Sequence, residues 1–521
     1  IYGTGAVIQG TDIYPIFNTG TSTYFYFQPI LEESQGSNVT VRSGFINDTW
    51  RLNNSFSFNL GLRYDKNDAV DAGGAVTSKS DAFSPRLAAT WDMKGDGKLR
   101  VTATYAKYVA GIQEGQAGSG YTPAGAPASY YWYYNGFGAT PINTGTGPYL
   151  TTEQALNQFW GWFRANGCLS DTNFMQPLSA ECKIPQGGAP SVPGVNRQIQ
   201  DSLDSPAAEE FTFGVAGTIG AKGSFRADFV RRTFSDFYDL KLDTTTGTVT
   251  NAVGTVFDLG LIVNSSDYRR EYTGLHTQFS YRIGDRLNLG GHWTWSHLIG
   301  DIVGENATSG TILATLHSQP EYFDRAWSAP VGSLSSDQRH RVRLYGTYDV
   351  PIPQSFGTLN FGLIQWWDTG TPYGAAGSVQ TRPYVTNPGY KATPASVTYY
   401  FTARDAYRYD DLWRTDLSMT YSYKFGGAVE LYVTPQVFNL FNQQTVTSVN
   451  QTVNTAANST ANYNAFNPFT TAPVECPQTT TAKDCKALGA NWQKGPLFGQ
   501  PTGPTSYQTP RYFQISLGIR F

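Results

Sequence analysis

Charge is scarce in this sequence: Lys, Arg, Asp and Glu together make up 15% of 521 residues, and 37 basic against 40 acidic groups leave a net charge of −3. No long basic run interrupts that balance, so the electrostatic footprint of a nucleic-acid binder is missing and nucleic acid is set aside as a partner. There are 4 cysteines, none in a CxxC pair, so a four-thiolate zinc centre lacks its usual ligand spacing. The sequence has no G-x-S-x-G, H-E-x-x-H, P-loop or dinucleotide fingerprint; no enzyme activity and no cofactor is expected from it. No window of about 18 apolar residues occurs, which excludes a membrane-spanning helix but says nothing about spanning strands.

Aromatic residues and glycine are abundant instead, with 33 Tyr, 31 Phe, 12 Trp and 54 Gly. This is the balance of a β-rich protein. In SFSFNLGLRYD, Phe56, Phe58, Leu60, Leu62 and Tyr64 fall on one face and Ser57, Asn59, Gly61, Arg63 and Asp65 on the other. The same period of two recurs in KLRVTATYAKY, EFTFGVAGTI, RLNLGGHWTWSH, TDLSMTYSYK and the terminal RYFQISLGIRF. Counting less regular cases, the pattern predicts about thirteen strands. The first, around TVRSGFINDTW, has no clear phase.

The connections discriminate between architectures. Short turns are expected at Asn53-Asn54, at KGDG, GAKG and GDR, at PIP and at Gly426-Gly427, and they alternate with long polar connections at 66–82, 110–207, 233–268, 298–337, 368–407 and 443–508. A soluble sandwich could bury the same apolar faces, but it has no reason to keep its long loops at one end. An outer-membrane barrel does, with short periplasmic turns and long extracellular loops. The polar face, with Arg63, Arg86, Arg100 and Asp416, suits a wet or plug-filled lumen. The expected fold class is an all-β, antiparallel transmembrane β-barrel in the outer membrane of a Gram-negative bacterium, with outer-membrane lipid as its surroundings.

The runs FINDTWRLNNSFSFNLGLRYDKND, FSPRLAATWD and VELYVTPQVFNLFN, taken in order, resemble the C-terminal barrel of TonB-dependent outer-membrane receptors, most closely the Oar-like branch. The resemblance runs from about Asn38 onward. It implies a barrel of about 22 strands, closed by an N-terminal plug that meets TonB, and in this branch a small domain resembling a carboxypeptidase regulatory domain before the plug. On this reading 1–37 is an extracellular loop before the first strand, 38–521 is the C-terminal portion of the barrel, and 110–207 and 443–508 are its longest loops. The N-terminal barrel strands and the plug lie outside this chain. The implied function is TonB-dependent transport of an unknown extracellular ligand; a passive porin or an outer-membrane barrel hydrolase is the alternative. Gln514, Ile519 and Phe521 resemble the terminal signal read by the barrel-assembly machinery, although Ser516 stands where that signal usually has glycine.

Candidate sites fall in the connections. Cys168 with Cys182 and Cys476 with Cys485 each lie inside one long loop on an oxidising surface, which favours two local disulfides over a shared metal. TTEQALNQFWGWFRANG reads as a helix with a Thr151–Gln154 capping box and a stop at Gly167, its face of Leu156, Phe159, Trp160 and Phe163 serving either as a ligand platform or as the loop's own core. The aromatic run Tyr130, Tyr131, Trp132, Tyr133 and Tyr134 either meets a ligand or packs upon itself. His292 is expected on the polar face of its strand and His297 at its outer end, as hydrogen-bonded residues rather than metal ligands. Asp65, Asn67, Asp68 and Asp71 are placed at the start of an outer loop, as a calcium candidate that lacks the glycine of an EF-hand or as a solvated turn.

Because Phe521 is expected to face lipid on the final strand and to be read during insertion, Phe521→Ser should reduce the amount of assembled barrel in the outer membrane without altering ligand affinity per folded molecule. Unchanged assembly, read from heat-modifiable gel migration of outer-membrane fractions, would contradict the terminal signal.

Overall fold

A computed structural model describes the chain except residues 31, 111–123, 126, 169–181, 185–191, 201, 243–244, 251–255, 303–323, 386–388, 392–395 and 426–428. Its backbone is dominated by one antiparallel sheet with a path of thirteen strands in strict chain order. They are β1 Asn38–Arg51, β2 Phe56–Val70, β3 Val76–Asp92, β4 Leu99–Val109, β5 Ala207–Ile219, β6 Gly223–Ser235, β7 Arg270–Ile283, β8 Leu287–Gly300, β9 His340–Val350, β10 Thr358–Asp368, β11 Leu412–Phe425, β12 Val429–Phe438 and β13 Tyr512–Arg520. The short Gly332–Ser333 adds to β8 off this path. The strands run from 9 to 17 residues, against the ~9–11 that a tilted strand needs to cross a bilayer.

Successive strands are joined by tight turns at one end. Between β3 and β4, the Asp92 carboxylate accepts from the backbone N–H groups of Gly95 and Gly97, both at positive φ that only glycine adopts freely. Between β1 and β2, Asn53 Oδ1 accepts from the N–H groups of Ser55 and Phe56. The expected Gly426-Gly427 turn lies outside the described residues.

Register converts the period of two into two continuous faces. Leu60 lies opposite Leu87, which lies opposite Tyr105, and that in turn opposite Phe211. Across the far side, Leu363 lies opposite Leu417 and Val433 opposite Leu517. Most of these side chains stay exposed in the isolated chain, Leu517 at 78% and Leu363 at 46%, as a lipid-facing belt would be. Toward the long-connection end the belt finishes in a ladder of rings across four strands: Trp293, His340, Trp367 and Trp413 stack with centroids 6.0, 5.7 and 5.3 Å apart. The indole N–H of Trp293 donates to His340 Nδ1 and that of Trp367 to Asp411 Oδ2, each at 3.2 Å, so these two indoles each combine an apolar face with a polar anchor.

The opposite face is polar and internally paired. Arg343 makes a two-pronged contact with Asp368, both N···O distances 2.7 Å, while Arg63 pairs with Asp65 and Arg414 with Asp416, each at 2.8 Å. Arg232 pairs with Glu210 and Arg520 approaches Glu430. His292 sits on this face, opposite Gln278 and Arg343.

One expectation needs correction. The stretch 66–82 is not a long loop: β2 runs to Val70 and β3 begins at Val76, so only 71–75 lies between them. Its polar residues are strand residues whose partners lie across the ladder, which a reading of polarity as loop misses. The ambiguous first strand is ambiguous in the structure as well. Its outward positions carry Ile46 and Trp50 but also Asp48, and its inward side carries Phe45, 73% exposed. Neither β1 nor β13 has a second partner among the described residues, so the sheet is open at both edges.

The described parts of the long connections carry structure of their own. Residues 1–37 form no plain loop: Gly5–Gln9 and Asp12–Ile16 make a hairpin, and Tyr24–Phe27 pairs with Tyr130–Tyr133 from the connection between β4 and β5. Helix α1, Thr152–Ala165, carries both halves of the Thr151–Gln154 capping box and buries Phe159 and Phe163 against that ribbon. A second core, in 443–508, gathers Tyr463, Ala490, Cys476 and Cys485.

Arg343 and Asp368 are both largely shielded, so Asp368→Ala strands a guanidinium and should cost about 3 kcal/mol. The double change Arg343→Met with Asp368→Leu should cost less than the single one. Urea unfolding of the purified protein in micelles measures both; a single variant as stable as the parent would contradict the role given to the pair.

Candidate functional site

The polar wall is densest where β9, β10 and β11 meet. Trp366 occupies an inward position, and the guanidinium carbons of Arg343 and Arg414 lie 4.1 and 4.4 Å from its ring centroid. Each cation also holds its own carboxylate, and Asp416 Oδ1 further accepts the backbone N–H of Asn439. Charge here is matched and geometrically fixed, which suits a wall that presents hydrogen-bonding edges to something polar. Sequence reading named Asp416 and Arg63 but missed Arg343 and Trp366. The alternating arginines of HRVRLY were the available signal; a tryptophan on the polar face broke the expected pattern.

At the long-connection end, Asp337 is the anchor. Its carboxylate takes Arg408 at 2.8 Å, Arg339 at 3.3 Å and the Leu298 N–H at 2.7 Å, tying the end of β8 to distant connections. Arg325 pairs with Asp301 at 2.7 Å and lies 4.3 Å from the Tyr268 ring. Nearby, His297 Nε2 is 3.4 Å from Ser333 Oγ, a serine only 4% exposed.

The structure separates several residues that the sequence had grouped. Asp65 and Asn67 point inward, bonding to Arg63 and Ser43 and to Ser205, whereas Asp68 falls on the outward face near Arg42. Asp71 accepts the N–H groups of Gly73 and Ala75. Strand alternation thus divides the four calcium-candidate residues between two faces, and no group of three or more His, Cys, Asp or Glu placed to hold a metal occurs among the described residues. The aromatic run also divides. Tyr130, Trp132 and Tyr134 are buried in the α1 core, while Tyr131 and Tyr133 face away from it, Tyr131 stacking on Tyr26 at 4.4 Å. Cys168 is bonded to Cys182 and Cys476 to Cys485, each pair within its own loop core. Gln514 lies opposite Gln436 on the polar face, while Ile519 and Phe521 are exposed, Phe521 at 97%.

A match to the outer membrane beta barrel domain covers residues 17–369, and the chain belongs to that family. It is thus an outer-membrane protein of Gram-negative type. Among solved structures it is similar to BauA, the ferric preacinetobactin receptor of Acinetobacter baumannii, at 12% identity and TM-score 0.42, covering 79% of this chain and 40% of that one. It is also similar to the FrpB iron transporter of Neisseria meningitidis (F5-1 variant), at 13% identity and TM-score 0.41, covering 80% and 43%. The ferripyoverdine receptor of the Pseudomonas aeruginosa outer membrane matches at 11% identity and TM-score 0.40, covering 79% and 36%. The chain therefore spans about two fifths of the length of these receptors. No curated protein matches it.

One group in the outer connections titrates in an accessible range. Burial lifts the Asp239 carboxyl to about 6, against the hydrogen bond from Tyr268 and the charge of Arg325, which pull it down, while the charge of Asp267 adds to the rise. Between 3.8 and about 6 the folded state therefore binds the proton that the unfolded chain has released. The cost of ionised Asp239 is fully present above that window and is relieved on acidification, by about 3 kcal/mol. Amides of Phe237–Lys241 should be better protected against exchange at pH 5 than at pH 7.5 after correction for intrinsic rates, and Asp239→Asn should remove the difference. Equal protection at both pH values would contradict the assignment.

Proposed function

We propose that this chain forms the larger part of the wall of a plugged, TonB-dependent outer-membrane receptor that admits an extracellular ligand. The observation that supports it most strongly is the sheet itself. Its edge strands β1 and β13 both run from the long-connection end toward the short-turn end, so direct closure would pair them in parallel. An odd number of further antiparallel strands restores the pattern, and nine would give about 22. A lumen of that width needs filling, and the paired, half-buried charges of the inward wall suit contact with a polar plug rather than a free channel. On this reading the long connections face outside, 1–37 is part of the outer cap, 38–521 is the C-terminal portion of the barrel, and the missing strands and plug belong to a segment beyond this chain. TonB is met through that plug, and the barrel-assembly machinery is the partner during insertion.

A hydrolase is favoured by one observation, the approach of Ser333 to His297. Against it, Ser333 is buried and its N–H donates to Asp405, and no carboxylate is bonded to His297 among the described residues. Ester hydrolysis lost in Ser333→Ala would favour that reading.

The full-length protein in a planar bilayer should show no steady conductance, opening only when urea releases the plug. A stable open channel in the native protein would point to a passive porin instead.

A further inference from the structure

Just beyond the apolar belt, on the same outward face, β1 to β3 carry a cluster of cations. Tyr64 and Phe83 end the belt there, their rings 5.0 Å apart. The next outward residues are Arg42, Lys66 and Lys79, together with Asp68 and Asp81. Arg42 lies directly opposite Lys66 in the ladder. Like charges so placed repel unless an anion sits between them. The carboxylates answer them only in part: Asp81 lies opposite Lys66 and Asp68 opposite Lys79 in the ladder, yet Arg42 reaches Asp68 only at 3.8 Å, Asp81 accepts the Tyr64 hydroxyl at 3.1 Å, and three cations face two carboxylates. Lys66 and Lys79 make no ion pair among the described residues, and the Arg42 side chain is 73% exposed.

The position matters as much as the charge. An aromatic boundary on a lipid-facing sheet marks the interface, and the first residues beyond it stand at the depth of lipid headgroups. Cations there attract anionic headgroups, each worth about fivefold in affinity. We propose that the outward face of β1–β3, beyond Tyr64 and Phe83, binds the phosphates of an anionic glycolipid in the surrounding leaflet, with Arg42 and Lys66 flanking one phosphate and Lys79 beside them. The leaflet concerned is the external one under the orientation proposed above; the binding test does not depend on that orientation.

Full-length protein in micelles is titrated with diphosphoryl lipid A and with its monophosphoryl form, and bound lipid is counted by native mass spectrometry. The parent should prefer the diphosphoryl form. Arg42→Gln with Lys66→Gln should weaken its binding about thirtyfold and remove the preference, while Lys98→Gln at the opposite end changes neither. Lys79→Gln, which leaves the Arg42–Asp68 contact in place, should give about fivefold, so the proposal remains testable if the double variant fails to assemble. Parental affinity in these variants would overturn it, as would binding abolished by EDTA alone, which would mean a cation bridge through Asp68 and Asp81. Displacement by an equal concentration of inorganic phosphate would reduce the patch to a general anion site and would also overturn it.

Discussion

In hydrocarbon an unpaired backbone N–H or C=O costs several kcal/mol, and no water is present to relieve it. Most of this structure follows from that constraint. It makes the chain spend its length on strands in consecutive order, each hydrogen-bonded to the one before and the one after. It sends the side chains of each strand to opposite faces, so that every strand must satisfy lipid with one set and a polar interior with the other. It also makes the two unpaired edges, on β1 and β13, the least stable feature of the isolated sheet.

The two faces meet different demands. Outward, the rings of Trp293, His340, Trp367 and Trp413 finish the apolar belt, and the indole N–H groups of Trp293 and Trp367 are already bonded, so the boundary is apolar toward lipid and anchored toward the connections. Inward, the arginines are matched to carboxylates within the sheet, as in Arg343 with Asp368 and Arg414 with Asp416. Pairing of this kind offers little net stability compared with apolar packing. It does keep a wide polar surface from collapsing or from gathering counter-ions, and it leaves hydrogen-bonding edges in fixed positions. Beyond both faces, the described parts of the long connections build their own cores, stapled at Cys168–Cys182 and Cys476–Cys485.

Much of the sheet was legible in the sequence because lipid imposes a strict period of two: Phe56 to Tyr64 and Phe513 to Phe521 show it without interruption. Turn chemistry was equally plain at Asp92 to Gly97. Legibility failed where local composition and tertiary role diverge. The polar stretch after Tyr64 read as a loop, yet it is strand, because Asp65 and Asn67 find partners in Ser43, Arg63 and Ser205, residues distant in sequence except for Arg63. Trp366 was missed because a tryptophan on the polar face breaks the period-two pattern; there it faces two guanidinium groups. The five aromatics after Ser129 read as one cluster, whereas the ribbon they form sends Tyr131 and Tyr133 to one face and Tyr130 and Trp132 to the other. The first strand, whose phase was open in the sequence, carries Phe45 on the polar face opposite Arg63 and Asp48 on the apolar face opposite Leu60.

The central claim is that β1 and β13 do not pair with each other but are bridged by further strands. Spin labels at Asn47 and Ser516, one on each edge strand and both on the inward face, measure it directly in the full-length protein by pulsed electron paramagnetic resonance. With nine intervening strands at ~4.8 Å spacing the labels should lie on the order of 40 Å apart across the lumen. A separation under about 15 Å, as neighbouring strands would give, would mean that these thirteen strands close upon themselves and would contradict the account.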